Sequence, residues 1–256
     1  MDRRRFMNEA AAVAAVGFTA GMTVSQKADA LEDEMARQLE KSRVTPGLCS
    51  IGEIGEGGAP FLMGTDPLLA PMPEKPTLLD FFEHRWSNSQ HLLQSANLAL
   101  EAGHSETQVL ACLLHDVGLR LLRTDHGYWG SALIEPYVDE EISWAIRYHQ
   151  ALRFFPDESV GYSYPEAYIR YFGEDYEPEP YIHAAYELAR NHRWYMTSRL
   201  ITVNDLYAFD PNVDVTLDKF VDVIGRHFKT PEAGLGFDNS PVAHQWRTMI
   251  WPNNFL

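Results

Sequence analysis

A histidine and an aspartate stand side by side at the end of an apolar run. The run covers residues 111–118, and its polar pair is His115 and Asp116. Such side chains are costly to bury among apolar neighbours unless they are bonded. Both are metal-ligand types, and four donors of the same types stand elsewhere in the chain: His91, His126, His149 and Asp205. Because these donors suffice for two ions, the sequence predicts a dinuclear metal site.

The residues around the His-Asp pair predict the helix that carries it. Ser105 and Gln108 form a capping box at its start, and Gly118 is expected to terminate it. His126 heads the next helical segment, where the small residue Gly130 would allow close helix approach.

His149 is predicted to lie on the buried face of its own helix. Asp139, Glu140 and Glu141 give that helix an acidic first turn, which the helix dipole favours. Apolar residues and the histidine then recur at helical spacing: Ile142, Ala145, Ile146 and His149. Alternating β-branched runs are scarce, so the fold class is expected to be all-α.

The donors, in this order, resemble the HD-domain superfamily of helical metalloenzymes over residues 81–209. That resemblance maps its four-ligand pattern onto His91, His115, Asp116 and Asp205. The additional His126 and His149 are similar to the subset with two metals, in which the aspartate of the HD pair bridges them. Within that subset, the segments beginning at these two histidines most resemble the mixed-valent diiron oxygenases, which include organophosphonate-cleaving enzymes and myo-inositol oxygenase.

The resemblance implies an HD-domain helical bundle around two iron ions (Fe2+/Fe3+), with a small organic substrate and O2 as partners. It places a basic substrate-anchoring residue at Arg153, which suits an anionic or polar substrate. Glu83 matches part of a lid that precedes the first histidine, although the tyrosine of that lid is missing here. Arg199 is a further candidate for substrate binding. Imidazole and carboxylate ligands suit iron, and O2 and substrate both require open positions.

Two other classes of function remain open. Most HD proteins are phosphohydrolases, in which Mn2+ or another divalent metal activates water for attack on a phosphoester. The acidic chain, with few Lys and Arg residues near the ligands, weighs against that reading. A metal-binding or structural helical protein without turnover is the third class.

Charge and the N-terminus bear on partners and location. The formal net charge of −15 disfavours nucleic acid and anionic membranes as partners. Residues 1–30 contain Arg3-Arg4-Arg5-Phe6, a short apolar stretch and a small-residue cleavage pattern, which resembles a twin-arginine signal peptide. The apolar stretch is too short to span a membrane stably. We therefore expect a periplasmic or otherwise exported protein, or a cytoplasmic one if the signal is not used.

The rest of the chain divides into three predicted parts. Residues 31–76 form an extended arm or linker, which is charged at its start and rich in glycine and proline from residue 45 to residue 76. Residues 77–230 form the helical metal-binding domain. Residues 231–256 form a C-terminal strap with the apolar anchors Phe237, Trp246 and Trp251. The sequence does not predict an oligomeric state.

Overall fold

The computed structural model describes residues 69–86, 89–122 and 125–252. The predicted signal peptide, and the predicted arm as far as residue 68, lie outside the described residues. The part of the arm from residue 69 to residue 76 contains no helix or strand.

The described chain is all-α, as predicted. Its β-type pairing is limited to an isolated bridge between Asp157 and Tyr162. Ten α-helices lie within the described residues: α1 (Leu78–His84), α2 (Ser89–Glu101), α3 (Glu106–Leu114), α4 (His126–Ile134), α5 (Glu140–Leu152), α6 (Glu166–Phe172), α7 (Pro180–Ala189), α8 (Tyr195–Leu206), α9 (Val221–His227) and α10 (Ala243–Ile250). Four short 3-10 turns accompany them, at Val117–Arg120, Glu135–Tyr137, Glu158–Val160 and Leu217–Phe220. Pro71–Ile250 forms one compact unit that includes all ten helices.

Helix α5 is central to the packing. It contacts α3, α4, α7 and α8, while α2 contacts α3 and α8. Its buried stripe contains Ile142, Ala145, Ile146 and His149, as the spacing predicted. Asp139 is its N-cap residue, and Glu140 and Glu141 form the predicted acidic first turn. The five helices α2, α3, α4, α5 and α8 are therefore held together around one interior.

Helix α3 starts as predicted but lacks the full capping box. The Ser105 hydroxyl accepts a hydrogen bond from the Gln108 backbone N–H at 3.3 Å. The Gln108 side-chain amide instead donates to the carbonyl of Thr197 on α8, at 3.1 Å. A buried amide satisfies its donors inside the protein, so Gln108 links α3 to α8.

Gly118 does not terminate α3, so that prediction was wrong. The helix ends at Leu114, and Gly118 lies within the 3-10 turn that follows Asp116. A Cβ at Gly118 would lie 2.4 Å from the carbonyl oxygen of His126 and 2.5 Å from the backbone nitrogen of Gly130. Glycine is required because the turn and α4 touch through their backbones. The predicted close approach at Gly130 is confirmed.

The C-terminal segment packs on α1 through Trp246, which is fully buried. The ring centroids of Trp246 and Phe81 are 4.7 Å apart in an edge-to-face arrangement. Arg85 Nε also donates to the carbonyl of Met249 at 2.9 Å. Of the other predicted anchors, Phe237 is 40% exposed.

No helix in the described part of the chain is long and apolar enough to cross a membrane.

Candidate metal centre

The six predicted donors converge inside the bundle. His91 lies in the first turn of α2, His126 begins α4, and His149 lies in the last turn of α5. His115 and Asp116 occupy the junction between α3 and the following 3-10 turn. Asp205 lies in the last turn of α8. Five helices therefore supply the donors, which lie far apart in the sequence.

Four donors form one group, which we call site A: His91, His115, Asp116 and Asp205. Their ligand atoms all lie within 4.8 Å of one another. His91 Nε2 is 3.1 Å from Asp205 Oδ1 and 3.6 Å from Asp116 Oδ2. His115 Nε2 is 3.5 Å from Asp205 Oδ1. Two imidazoles and two carboxylates at such separations surround a space of the size that a first-row metal ion needs.

A second group, site B, consists of Asp116, His126 and His149. Asp116 Oδ1 is 3.1 Å from His126 Nε2 and 3.6 Å from His149 Nε2. Asp116 belongs to both groups: Oδ2 lies near His91 of site A, and Oδ1 lies near both histidines of site B and 3.6 Å from His115 Nε2 of site A. A carboxylate that lies between two donor groups is suited to bridging two metal ions.

Backbone carbonyls fix the orientation of three of the imidazoles. His91 Nδ1 is 3.0 Å from the carbonyl of Ala208, His115 Nδ1 is 2.7 Å from that of Cys112, and His149 Nδ1 is 2.6 Å from that of Ile146. A carbonyl oxygen only accepts, so each Nδ1 carries the hydrogen. In the neutral ring, the Nε2 lone pair then points into the centre, as it does in metal-bound histidines.

The interior of the centre contains polar atoms with unmet bonding capacity. Asp116 Oδ1 and His149 Nε2 are buried and make no hydrogen bond. Leaving such atoms without partners in the interior is costly. Both atoms face site B, and a cation there would bond to both. The donor set therefore fits a metal ion on the protein's own geometry.

Electrostatics keep most donors in the protonation state of a ligand. Burial lowers the pKa of His149 to about 4, so the ring is neutral at neutral pH. Burial by itself raises the pKa of Asp116, but the nearby imidazoles of His115, His126 and His149 hold it well below its usual range. Asp205 behaves in the same way, with Arg153 as the main opposing charge. Both carboxylates therefore remain ionised.

The two carboxylates of site A favour the charged form of His91. Burial lowers its pKa, but the contacts with Asp116 and Asp205 outweigh that effect and raise the pKa to about 10. Its Nε2 is 3.1 Å from His115 Nε2, a separation at which one of the two nitrogens must donate. A doubly protonated His91 provides that hydrogen. The two carboxylates of site A thus favour positive charge between them.

Of the predicted substrate-binding residues, Arg153 lies beside the centre. Its guanidinium forms an ion pair with Asp205 Oδ2, and its carbonyl accepts a hydrogen bond from the Tyr162 hydroxyl at 2.9 Å. Arg153 Nε makes no hydrogen bond. Burial lowers the pKa of Arg153, but Asp205 outweighs this and raises it, so the charge is permanent. The contact between Tyr162 and Arg153 was not predicted, because no sequence pattern marks a tyrosine hydroxyl that bonds to a carbonyl nine residues away.

The other two candidates make different contacts. Arg199 is fully buried on α8. It donates to the carbonyl of Leu152 at 2.9 Å and to the Tyr195 hydroxyl at 3.1 Å, which secures the end of α5. Glu83 is exposed on α1, with its carboxylate 3.8 Å from His84. Substrate binding by these two residues stays a prediction.

A cavity of about 320 Å³ lies against another face of α5. Its lining includes Arg147 of α5, Phe154 just after that helix and residues of α7, and none of the six donors. It therefore does not identify a substrate site at the metal centre.

Comparison with protein-family models gives no match, and comparison with curated proteins gives none either. The likeness to HD-domain enzymes therefore depends on the donor residues and their order.

Proposed function

We propose that this protein is a diiron oxygenase of the HD-domain type, which oxidises a small polar or anionic organic substrate with O2. The observation that carries the proposal is the pair of overlapping donor groups that share Asp116. A single structural ion would be satisfied by site A alone. The second group, in which Asp116 Oδ1 and His149 Nε2 are buried without a hydrogen bond, supports a centre built for two ions.

The two sites differ in how many donors they offer. Site A has four protein donors, whereas site B has three. Imidazole and carboxylate ligands suit iron in both oxidation states, and a site with fewer protein ligands retains more open positions. Bound iron would supply redox chemistry with O2 at those positions. The order of the donors resembles the diiron oxygenases and supports iron over other metals.

The residues of this chain would bind and shield the substrate. Arg153 presents a permanent positive charge beside Asp205, and that charge suits an anionic group. His115 and His149 are fully buried, so bulk water is excluded from that side of the centre. A positively charged, water-excluded side of the centre would orient an anionic substrate and protect a reactive species from water.

A metal-dependent phosphohydrolase is the second candidate, since Arg153 is equally suited to a phosphoryl group and these donors also bind Mn2+. Export by a twin-arginine signal, which we propose from residues 1–30, favours the oxygenase because nucleotide substrates are scarce outside the cytoplasm. The two candidates differ in redox chemistry. A hydrolase has no need of a metal that changes oxidation state.

The test is metal analysis of the purified protein followed by EPR after partial oxidation. We expect about two irons per chain and the signal of a coupled mixed-valent pair. Two ions without a redox-active pair, together with phosphoesterase activity, would replace the oxygenase by the hydrolase. A protein that binds only one ion would exclude the diiron oxygenase and favour a one-metal hydrolase, and a protein that binds none would exclude both enzymes.

A further inference from the structure

The loop after α8 lies along α2 and is fastened there by two glutamines. We call residues 208–215 the clasp. Gln94 donates to the carbonyls of Asp210 and Val213, both at 2.8 Å, and accepts from the Asp210 backbone N–H at 3.0 Å. Gln90, one helical turn earlier, donates to the Val215 carbonyl at 3.0 Å and accepts from its N–H at 3.1 Å. Two side-chain amides thus pair with the clasp as a neighbouring strand would.

The clasp holds His91 in two ways. The Ala208 carbonyl accepts the Nδ1 hydrogen at 3.0 Å. The Phe209 ring stacks on the imidazole, with centroids 4.2 Å apart and planes 18° apart. Phe209 is 67% exposed, so the ring separates His91 from solvent and adds little to the core.

His91 differs from His115 and His149 in the position of the backbone carbonyl that orients its ring. His115 and His149 each bond a carbonyl three residues earlier in their own helices. The carbonyl that orients His91 is 117 residues away in the sequence. Its orientation therefore depends on the clasp staying closed, whereas helix geometry alone orients the other two.

We propose that the clasp is a positioning device that retains the site A ion, with Gln94 as its latch and Phe209 as its cover. Gln94 is 7% exposed, so its amide competes little with water for the clasp carbonyls. When the clasp opens, His91 loses its tautomer-fixing carbonyl and its cover together, and the ion loses one of four donors. His149 of site B is oriented by a carbonyl of its own helix, so opening the clasp leaves the support of that ligand in place. This inference rests on the proposed dinuclear centre.

The test measures metal release to an excess of chelator from protein loaded with Co2+, followed by visible absorption. Phe209→Ala removes the cover at an exposed position, and Gln94→Glu removes both donors from the latch. Tyr207→Ala is the matched control, since Tyr207 is 66% exposed and its ring stacks on no described residue. His149→Ala identifies the site B phase, because it removes a donor from that site only.

We expect both clasp variants to release the site A ion about tenfold faster, the size of effect seen when a partner of a ligand is lost. The site B phase should not change. Tyr207→Ala should stay within about twofold of wild type, as a surface substitution does. Rates equal to wild type in Phe209→Ala, or equal acceleration of both phases, would overturn the proposal. If Gln94→Glu does not fold, Phe209→Ala still decides. Wild-type protein that binds no Co2+ would instead overturn the dinuclear centre.

Discussion

Replacement of His149 by alanine tests whether two separate sites share Asp116. His149 is fully buried, its Nδ1 donates to the Ile146 carbonyl at 2.6 Å, and its Nε2 is 3.6 Å from Asp116 Oδ1. The substitution leaves site B with two protein donors and leaves the four donors of site A in place. We expect metal content to fall by half, since two donors do not hold an ion against water or a chelator.

The same substitution also lowers the stability of the fold. Alanine removes one hydrogen bond, about 1 kcal/mol, and leaves a cavity that helix packing only partly closes. The free energy of unfolding of the metal-free protein should therefore fall by on the order of 2 kcal/mol. That loss is small enough for a folded domain to persist.

The assay loads wild type and variant with Fe2+ under anaerobic conditions, removes free metal and measures iron per chain. Urea unfolding of the metal-free proteins gives the stability difference. His244→Ala is the control, because His244 is exposed on α10 and belongs to neither donor group. A variant that keeps both ions, or one that loses both while remaining folded, would refute the division into sites A and B.

Three further predictions follow from particular contacts. Arg153→Met should lower the stability of the metal-free protein by on the order of 2 kcal/mol, because Asp205 loses its buried counter-ion. The loss of stability should be smaller in the metal-loaded protein. Equal losses in the two forms, measured by urea unfolding, would contradict the role of Arg153 as that counter-ion. Gly118→Ala should cost about 1–3 kcal/mol and weaken metal binding at site B, since its Cβ would meet the α4 backbone at 2.4 Å. Gly225→Ala, in open space on α9, should instead stabilise by about 0.5–1 kcal/mol, and a cost equal to that of Gly118→Ala in thermal melts would remove the steric explanation. Glu106 is bridged to Arg226 and His227 on α9, and these two partners lower the pKa of Glu106 from 4.5 to about 2. The Glu106 bridge therefore stabilises the fold above about pH 4.5 and is lost as pH falls towards 2. Glu106→Gln should flatten that part of the stability profile measured by urea unfolding.

Local patterns account for much of the fold and the site. Helical spacing placed His149 on the buried face of α5, and acidic residues marked the start of that helix. The same locality explains the carbonyl partners of His115 and His149, since a helix brings each ring near a carbonyl of its own preceding turn. The all-α class follows from the same signals.

Local patterns were misleading where backbone contact between elements decides the outcome. Gly118 is of the residue type that often ends a helix. It is needed here because the backbone of α4 would lie 2.4 Å from a Cβ at this position. Gln108 looks like half of a capping box, but its amide finds a better partner on α8. In both cases the competing partner is distant in sequence, so no window of neighbouring residues contains it.

The sequence by itself determined which residues could bind metal and which helices carry them, because side-chain type and helical period are local properties. Only the tertiary structure decided that Asp116 lies between two donor groups, that Arg153 pairs with Asp205, and that a loop 117 residues away orients His91. The physical reason is that these arrangements depend on how five helices pack. Packing sets distances of a few ångströms between residues that the chain separates by many turns.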